Sequence, residues 1–202
     1  IEASWIAADS SDPSEVQRVC SKTFDTLGHL DILVNNAGTS WGASAETHTL
    51  QAWDRVMNLN IRSLFLFSQQ AAVGSMIPRK RGRIINIASI AGLGGNPAPM
   101  ECVAYNTSKG AVITFTRALA AEWGKHGINV NAISPGLFPS KMADGVIAAF
   151  GEERIISTTP LGRLGDPDDL KGAALLLASA AGKHMTGHAI VVDGGTSAVI
   201  GA

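Results

Sequence analysis

The sequence predicts an α/β fold: a three-layer, doubly wound parallel sheet with helices on its faces. Three observations carry that expectation. Short β-rich runs alternate with longer apolar segments of helical period. Pro and Gly stand at the starts and stops of the helical segments, and polar clusters recur where the β-rich runs end. At 202 residues the chain fits one domain, 1–202, with a sizeable buried core.

In chain order, Trp5 to Ala8 reads as the end of a strand, followed by the polar turn Asp9-Ser10-Ser11-Asp12. Pro13 suits the first turn of a helix capped by Asp12, where its missing N–H is no loss; the helix runs to about Leu27 and Gly28 stops it. Ile32-Leu33-Val34 is a buried strand entering Asn35-Asn36-Ala37-Gly38. A long helical pattern runs from about Leu50 to Met76, with Pro78 beyond it. Arg83 to Ile87 is the next strand, ending at Ala88-Ser89. After a Gly- and Pro-rich loop, a helix opens at Tyr105 and continues to Trp123, with Gly124 as its stop. Ile128 to Ile133 is a strand ending in Ser134-Pro135-Gly136. The stretch from Leu137 to Arg163 is less regular, with helical patches at Met142 to Phe150 and Glu152 to Ser157. Asp166-Pro167 caps a final helix to about Ala180, and Ala189-Ile190-Val191-Val192 is the last strand.

Several function classes receive no support. A net charge of -1 gives no electrostatic reason to expect nucleic acid or an anionic membrane as partner. The one basic cluster, Arg79-Lys80-Arg81 with Arg83, sits beside Pro78 and Gly82 and reads as a solvated turn. The run from Ile61 to Phe67 is interrupted by Arg62 and Ser63 and is too short to cross a bilayer. Cys20 and Cys102 lack metal-motif spacing, so two isolated thiols point to a reducing compartment and a cytoplasmic protein. His184 and His188 are four apart, but Gly187 and the following strand argue against a helical metal site. No Gly-x-Ser-x-Gly elbow surrounds Ser89, which excludes it as a hydrolase nucleophile.

Chemistry collects at the predicted strand ends, where open parallel sheets bind ligands. Asp9-Ser10, Asn35-Asn36-Ala37-Gly38, Ser89 and Pro135-Gly136 all lie there, and the helix after Ser89 can return Tyr105 to the same rim. Tyr105 and Lys109 are four apart and share a helix face. An ammonium beside a phenol stabilises the phenolate, so the pair predicts a tyrosine drawn down from about 10 toward neutral pH.

With Asn35-Asn36-Ala37-Gly38, Asn60 in Asn58-Leu59-Asn60, Ser89, Tyr105-x-x-x-Lys109, Pro135-Gly136 and Asp193-Gly194-Gly195, the chain resembles a short-chain dehydrogenase/reductase along essentially all its length. The stretches Thr39-Ser40-Trp41-Gly42 and Phe138-Pro139-Ser140-Lys141-Met142 are most similar to 3-oxoacyl reductases of the rhamnolipid-pathway type, with gluconate 5-dehydrogenase-like members also similar. The resemblance implies a Rossmann-like fold and reversible hydride transfer between a ketone and a secondary alcohol, using NADP or alternatively NAD. It makes Tyr105 the general acid/base and Lys109 the residue that holds the nicotinamide ribose and lowers the Tyr105 pKa. Ser89 would hold the substrate oxygen, and Asn60 would kink its helix and hold a water leading from Lys109 to solvent. For the cofactor, it puts Asp9 and Ser10 at the adenine and Asn36, Ala37 and Gly38 along the adenosine ribose. Pro135, Gly136, Leu137 and Phe138 would flank the nicotinamide, with Ser140 in place of the usual Thr. A plain reading of the residues makes Asn35 a stitch between strands, and leaves Asp9 equally a helix-start residue.

Two departures stand out. The loop from Ser89 to Tyr105 carries extra residues, Gly94-Gly95-Asn96-Pro97-Ala98-Pro99-Met100. No Gly-rich phosphate loop precedes Asp9, so the sequence as given looks N-terminally truncated, without the first βαβ elements, and is expected to hold a dinucleotide poorly. The expected substrate is a 3-oxoacyl thioester or similar ketone, with a sugar acid or simple alcohol as the alternative. A non-catalytic cofactor-sensing or structural relative, or an inactive core, is the reading from another class. The apolar residues Met142, Val146, Ile147, Phe150, Ile155 and Ile156 suit either a lid over an aliphatic ligand or ordinary core packing. By the same resemblance, the two long helices would build a homodimer and the last helix and strand a homotetramer.

Overall fold

A computed structural model describes residues 2–96 and 98–199. Four parallel strands form one sheet in the order β1-β2-β3-β4: β1 (Ile32–Asn35), β2 (Gly82–Ile87), β3 (Ile128–Pro135) and β4 (Ala189–Val192). Helices α3 (Ser63–Ala71) and α5 (Val103–Trp123) cover one face, burying Ile84, Val130 and Ala132 against Ala71, Leu119 and Val112. On the other face, α8 (Asp169–Ala178) packs Leu177 on Ile85 and Ile133. The expected three layers and doubly wound parallel sheet are present.

Helix α1 (Pro13–Leu27) has the expected bounds: Asp12 accepts the Ser14 N–H at 2.8 Å, and Gly28 leaves the helix at φ 72°. The Phe24 ring of α1 lies where a Cβ on Gly74 would stand, so that glycine lets α1 approach the long helix that follows.

That helix starts as α2 (Leu50–Met57), capped by the Thr49 hydroxyl, and continues through α3 to α4 (Ile77–Arg79). Two π-helical stretches interrupt it, Asn58–Arg62 and Ala72–Met76. The second precedes Pro78, where the ladder absorbs a residue without an N–H, so the helix passes through the proline instead of stopping at Met76. Lys80 then turns at φ 50°, and Asp31 accepts Arg79 at 2.8 Å with Arg81 at 3.9 Å, which accounts for the basic cluster as a turn.

Three sequence expectations need correction. Ile32 and Val34 are 40% and 52% exposed, because β1 is an edge strand with a neighbour on one side only. Residues 5–8 join no ladder, since no strand lies beside them among the described residues, and Trp5 is 84% exposed. Helix α5 opens at Val103, two residues ahead of Tyr105, although it ends at Trp123 with Gly124 at its C-cap as expected; a 3₁₀ turn (Gly124–His126) follows, and Gly127 at φ 70° reverses the chain. A smaller shift affects α8, which starts after Asp166-Pro167 because the side chains of this turn cap it: Asp169 accepts the Asp166 N–H and Asp166 accepts the Asp168 N–H, each at 2.8 Å.

Between β3 and α8, helices α6 (Asp144–Phe150) and α7 (Glu152–Thr158) form an arm with no buried residue on either helix. Val146, Ile147, Ile155 and Ile156 are only half-buried, so ordinary core packing does not account for this apolar segment.

Candidate active site

The site's rim is tied together at the carboxyl ends of the strands. Asn35 at the end of β1 donates to Asn86 Oδ1 on β2 at 2.9 Å and to Ser68 on α3 at 3.0 Å. Asn86 in turn donates to Thr116 on α5 at 3.0 Å. Asn35 is therefore a strand stitch, as its residue type and position indicated.

Asn60 lies in the first π-helical stretch and is 2% exposed. Its Oδ1 accepts the Thr39 N–H at 2.8 Å, and its Nδ2 donates to the Thr39 carbonyl and the Ser108 hydroxyl, each at 2.9 Å. The expected local distortion is real, but the side-chain amide is occupied by protein groups: it straps the chain after Gly38 to α5. Ser108 passes the contact on by donating to the Tyr105 carbonyl at 2.8 Å.

Lys109 is 6% exposed, and its Nζ donates to the Ile87 carbonyl at 2.7 Å. The ammonium stands 5.6 Å from the Tyr105 ring centroid, so one helix turn does bring the pair onto one face. A Cβ on Gly38 would lie 3.3 Å from Asn60 Oδ1 and 3.6 Å from Lys109 Nζ, so this glycine leaves room beside both groups.

Ser89 reaches Tyr105 through a close backbone contact. Its hydroxyl accepts the Ala91 N–H at 3.1 Å, starting a 3₁₀ turn (Ile90–Gly92) after β2. Gly92 lies flat on α5: a Cβ there would be 2.5 Å from the Lys109 carbonyl carbon and 2.7 Å from Gly110 N. This packing keeps the Ser89 hydroxyl near enough to the Tyr105 phenol to favour its ionised form.

The electrostatics correct one expectation. The Tyr105 pKa is raised, not lowered: burial outweighs the Ser89 hydrogen bond that favours the phenolate, and the Cys102 thiol adds to the rise. Burial also pulls Lys109 down to about 8. The helical spacing was right, but it carried no information about how far both groups are removed from water.

The residues expected along the cofactor fall into two groups. Gly38 and the half-buried run Pro135, Gly136, Leu137 and Phe138 lie at the carboxyl ends of β1 and β3, on either side of β2. Gly136 donates to the Val192 carbonyl at 2.9 Å, and its missing Cβ admits the Asp193 side chain. Asn36 and Ala37 are exposed beside Gly38. Ser140 is exposed in the turn that leads into α6, its carbonyl accepting the Ala143 and Asp144 N–H groups at 2.8 Å and 3.0 Å. Asp9 accepts the Ser11 N–H and hydroxyl at 2.8 Å and 2.7 Å, which holds its carboxyl below the usual range. It makes a local turn before α1, with Ser10 half-buried in the same turn. Asp9 also lines an open groove of about 760 Å³ against Leu50, Gln51, Asp54 and Arg55.

The family model described as enoyl-(acyl carrier protein) reductase matches residues 1–197. The chain belongs to the short-chain dehydrogenases/reductases. As a member of that family it is an NAD(P)-dependent oxidoreductase interconverting ketones and secondary alcohols. It is 41% identical over 191 residues to a 2-dehydro-3-deoxy-D-gluconate 5-dehydrogenase of Dickeya dadantii, spanning 94% of this chain and 74% of that one. It is 39% identical over 194 residues to the rhamnolipids biosynthesis 3-oxoacyl-[acyl-carrier-protein] reductase of Pseudomonas aeruginosa, covering 94% and 75%. A gluconate 5-dehydrogenase of Burkholderia cenocepacia, crystallised with NADP and tartrate, superposes with a TM-score of 0.89 at 34% identity, covering 95% of this chain and 74% of that one. No helix among the described residues is long and apolar enough to cross a membrane.

Thr39 and Ser108 were not read as site residues from the sequence. Ser108 had a usable signal, since it lies three residues after Tyr105 and so near it on the helix. Thr39 contributes only backbone groups, for which the residue type gives no sign.

Proposed function

We propose that this short-chain dehydrogenase/reductase reduces a 3-oxoacyl thioester or a similar ketone with NADPH, and that Ser89, Tyr105, Lys109 and Asn60 run the proton half of the reaction. The observation that carries this is the convergence of the Ser89 and Tyr105 hydroxyls with the buried Lys109 ammonium at one strand-end rim. Two neutral hydroxyls side by side suit an oxygen that becomes negatively charged as its carbon is reduced. Ser89 holds that oxygen, Tyr105 gives it a proton, and Lys109 restores the tyrosine. Asn60 keeps Thr39 and α5 in register beside them.

The residues present fit a dinucleotide in one specific respect: Gly38 leaves space beside Lys109 that a Cβ would fill. Lys109 and the backbone from Asn36 to Gly38 would hold the ribose portions, and Pro135 to Phe138 with Ser140 would border the ring, while Asp9 and Ser10 lie toward the adenine. When bound, NADPH supplies the hydride. The Burkholderia cenocepacia relative was crystallised with NADP, which supports NADP over NAD.

The half-exposed apolar side chains of the arm, from Met142 to Ile156, favour an acyl substrate. The identity to a 2-dehydro-3-deoxy-D-gluconate 5-dehydrogenase favours a sugar acid as the second reading. Exposed Leu50, Phe65 and Val73 on the long helix support assembly into a homodimer or homotetramer, and two unpaired thiols support a cytoplasmic location. The test is Tyr105→Phe, assayed by NADPH absorbance with a 3-oxoacyl thioester and with a keto sugar acid. Loss of a general acid costs about 10²–10⁴-fold in turnover, while NADPH fluorescence titration stays unchanged. Retained turnover refutes the mechanism.

A further inference from the structure

Asn106, directly after Tyr105, has no part in the proton chemistry, yet all its side-chain polar atoms are used. Its Nδ2 donates to the carbonyls of Ala91 and Gly94 at 2.8 Å and 2.9 Å, and lies 3.3 Å from Asn96 Oδ1. Its Oδ1 accepts the Cys102 thiol at 3.0 Å, and the Cys102 sulfur accepts from Asn96 Nδ2 at 3.2 Å. Asn96, Cys102 and Asn106 close a hydrogen-bonded ring between the first turn of α5 and the loop that leads to it. All of these partners belong to the segment joining Ser89 to Tyr105, where the sequence carries its extra residues.

Packing does little to hold this part of the loop. A Cβ on Gly94 or Gly95 would meet nothing within 4 Å. The backbone bond from Leu93 to Ile90 at 2.9 Å fixes the loop's near end, and the bond from Ala43 to the Glu101 carbonyl at 3.1 Å fixes its far end. Between these anchors, Asn106 supplies the restraint. Asn106 directly follows Tyr105 and Cys102 lies three residues before it, so the ring sits on the helix turn that carries the reacting tyrosine.

We propose that Asn106 is a positioning residue that holds the loop over residues 91–96 against α5, and that this ring sets how large a carbonyl substrate reaches Tyr105. The proposal rests on Tyr105 being the acid. Its determinants differ from the proton chemistry: Asn106 touches loop, not substrate, and its loss alters access more than acidity. Cys102 acts in the ring as a hydrogen-bonding group, and burial raises its thiol pKa and keeps it protonated for that role.

The test compares the parent enzyme with Asn106→Ala, Cys102→Ala and Cys102→Ser, using a short-chain and a long-chain 3-oxoacyl thioester with NADPH. Opening a ring of this kind is expected to change the short-to-long ratio of kcat/KM by about tenfold in Asn106→Ala, mainly through KM, with NADPH affinity within about twofold. Cys102→Ala is expected to move the ratio the same way, and Cys102→Ser to restore it, because a hydroxyl can give and accept the same two bonds. Thiol labelling with a maleimide gives a readout that does not depend on turnover. Cys20 is buried with its pKa pushed up to about 11, so the faster-reacting thiol is Cys102, and Asn106→Ala is expected to speed its labelling about tenfold. Unchanged labelling in Asn106→Ala, or faster labelling with an unchanged substrate ratio, overturns the proposal. A parent enzyme that binds NADPH but reduces no ketone instead overturns the oxidoreductase assignment on which it rests.

Discussion

Replacing Lys109 with methionine measures what the buried ammonium costs the fold. Lys109 is 6% exposed, and burial lowers its pKa from 10.5 to about 8. The displacement, 10.5 less about 8, amounts to ~3 kcal/mol against the charged form. The bond to the Ile87 carbonyl returns about 1.5–3 kcal/mol, so the net cost at neutral pH is between about 0 and 2 kcal/mol. Lys109→Met fills the same space without a charge. At pH 7 it is expected to be as stable as the parent or more stable by up to ~2 kcal/mol, while losing turnover. The pH dependence has a definite sign. The unfolded lysine titrates near 10.5 and the folded one near 8, so between these values the unfolded chain binds more protons and parent stability rises with pH. Below about pH 8 the full cost is present; by about pH 10.5 it has gone. Urea denaturation of both proteins at pH 7 and pH 10 checks this, with the advantage of the variant shrinking at the higher pH. A variant less stable than the parent by more than ~1 kcal/mol at pH 7 would refute the reasoning, because the bond to Ile87 would then outweigh desolvation.

Two further substitutions probe the scaffold around that lysine. Gly92→Ala places a Cβ 2.5 Å from the Lys109 carbonyl carbon, against backbone that cannot swing away; a loss of about 1–3 kcal/mol in denaturation is expected, with a larger loss of kcat than of cofactor affinity as Ser89 moves from Tyr105. Asn60→Ala leaves the Thr39 backbone groups and Ser108 without their buried partner, for an expected loss of about 2–3 kcal/mol; a melting temperature equal to the parent's would show that the strap carries no load.

Much of this architecture was legible because local chemistry and tertiary structure agree. Asp12, Pro13 and Gly28 mark α1 to the residue, and the run Ala189-Ile190-Val191-Val192 is β4 entire. What failed to show depends on neighbours. A run such as Ile32-Leu33-Val34 looks the same at an edge or a centre, and only the pairing of β1 with β2 alone explains its exposure. Residues 5–8 have strand composition, but a ladder requires a partner as well as a propensity. The second π-helical stretch was hidden for another reason: one extra residue in a turn barely disturbs an apolar pattern read over many. At the site, Tyr105, Lys109 and Ser89 announced themselves by residue type, whereas the strap through Thr39 and the loop bonds of Asn106 rest on backbone carbonyls and amides that no side-chain motif records.

The reversed order of two acidities gives the proposed reduction its direction. In water, a phenol near 10 is a slightly stronger acid than an ammonium near 10.5. Here burial raises Tyr105 above 10.0 and lowers Lys109 to about 8, so the ammonium becomes the stronger acid. At neutral pH the phenol therefore keeps its proton, which is the form needed to quench a developing alkoxide. The phenolate left behind is the less favoured ion in this site, so proton transfer from Lys109 to Tyr105 runs in the favourable direction. In the proposed mechanism the lysine thus acts less by its field than as a proton source made ready by desolvation. The same order opposes the oxidative direction at neutral pH, because removing an alcohol proton needs a phenolate that burial disfavours. Above about pH 8 the lysine becomes a neutral amine able to take that proton, so one buried side chain favours reduction at neutral pH and admits oxidation in alkali.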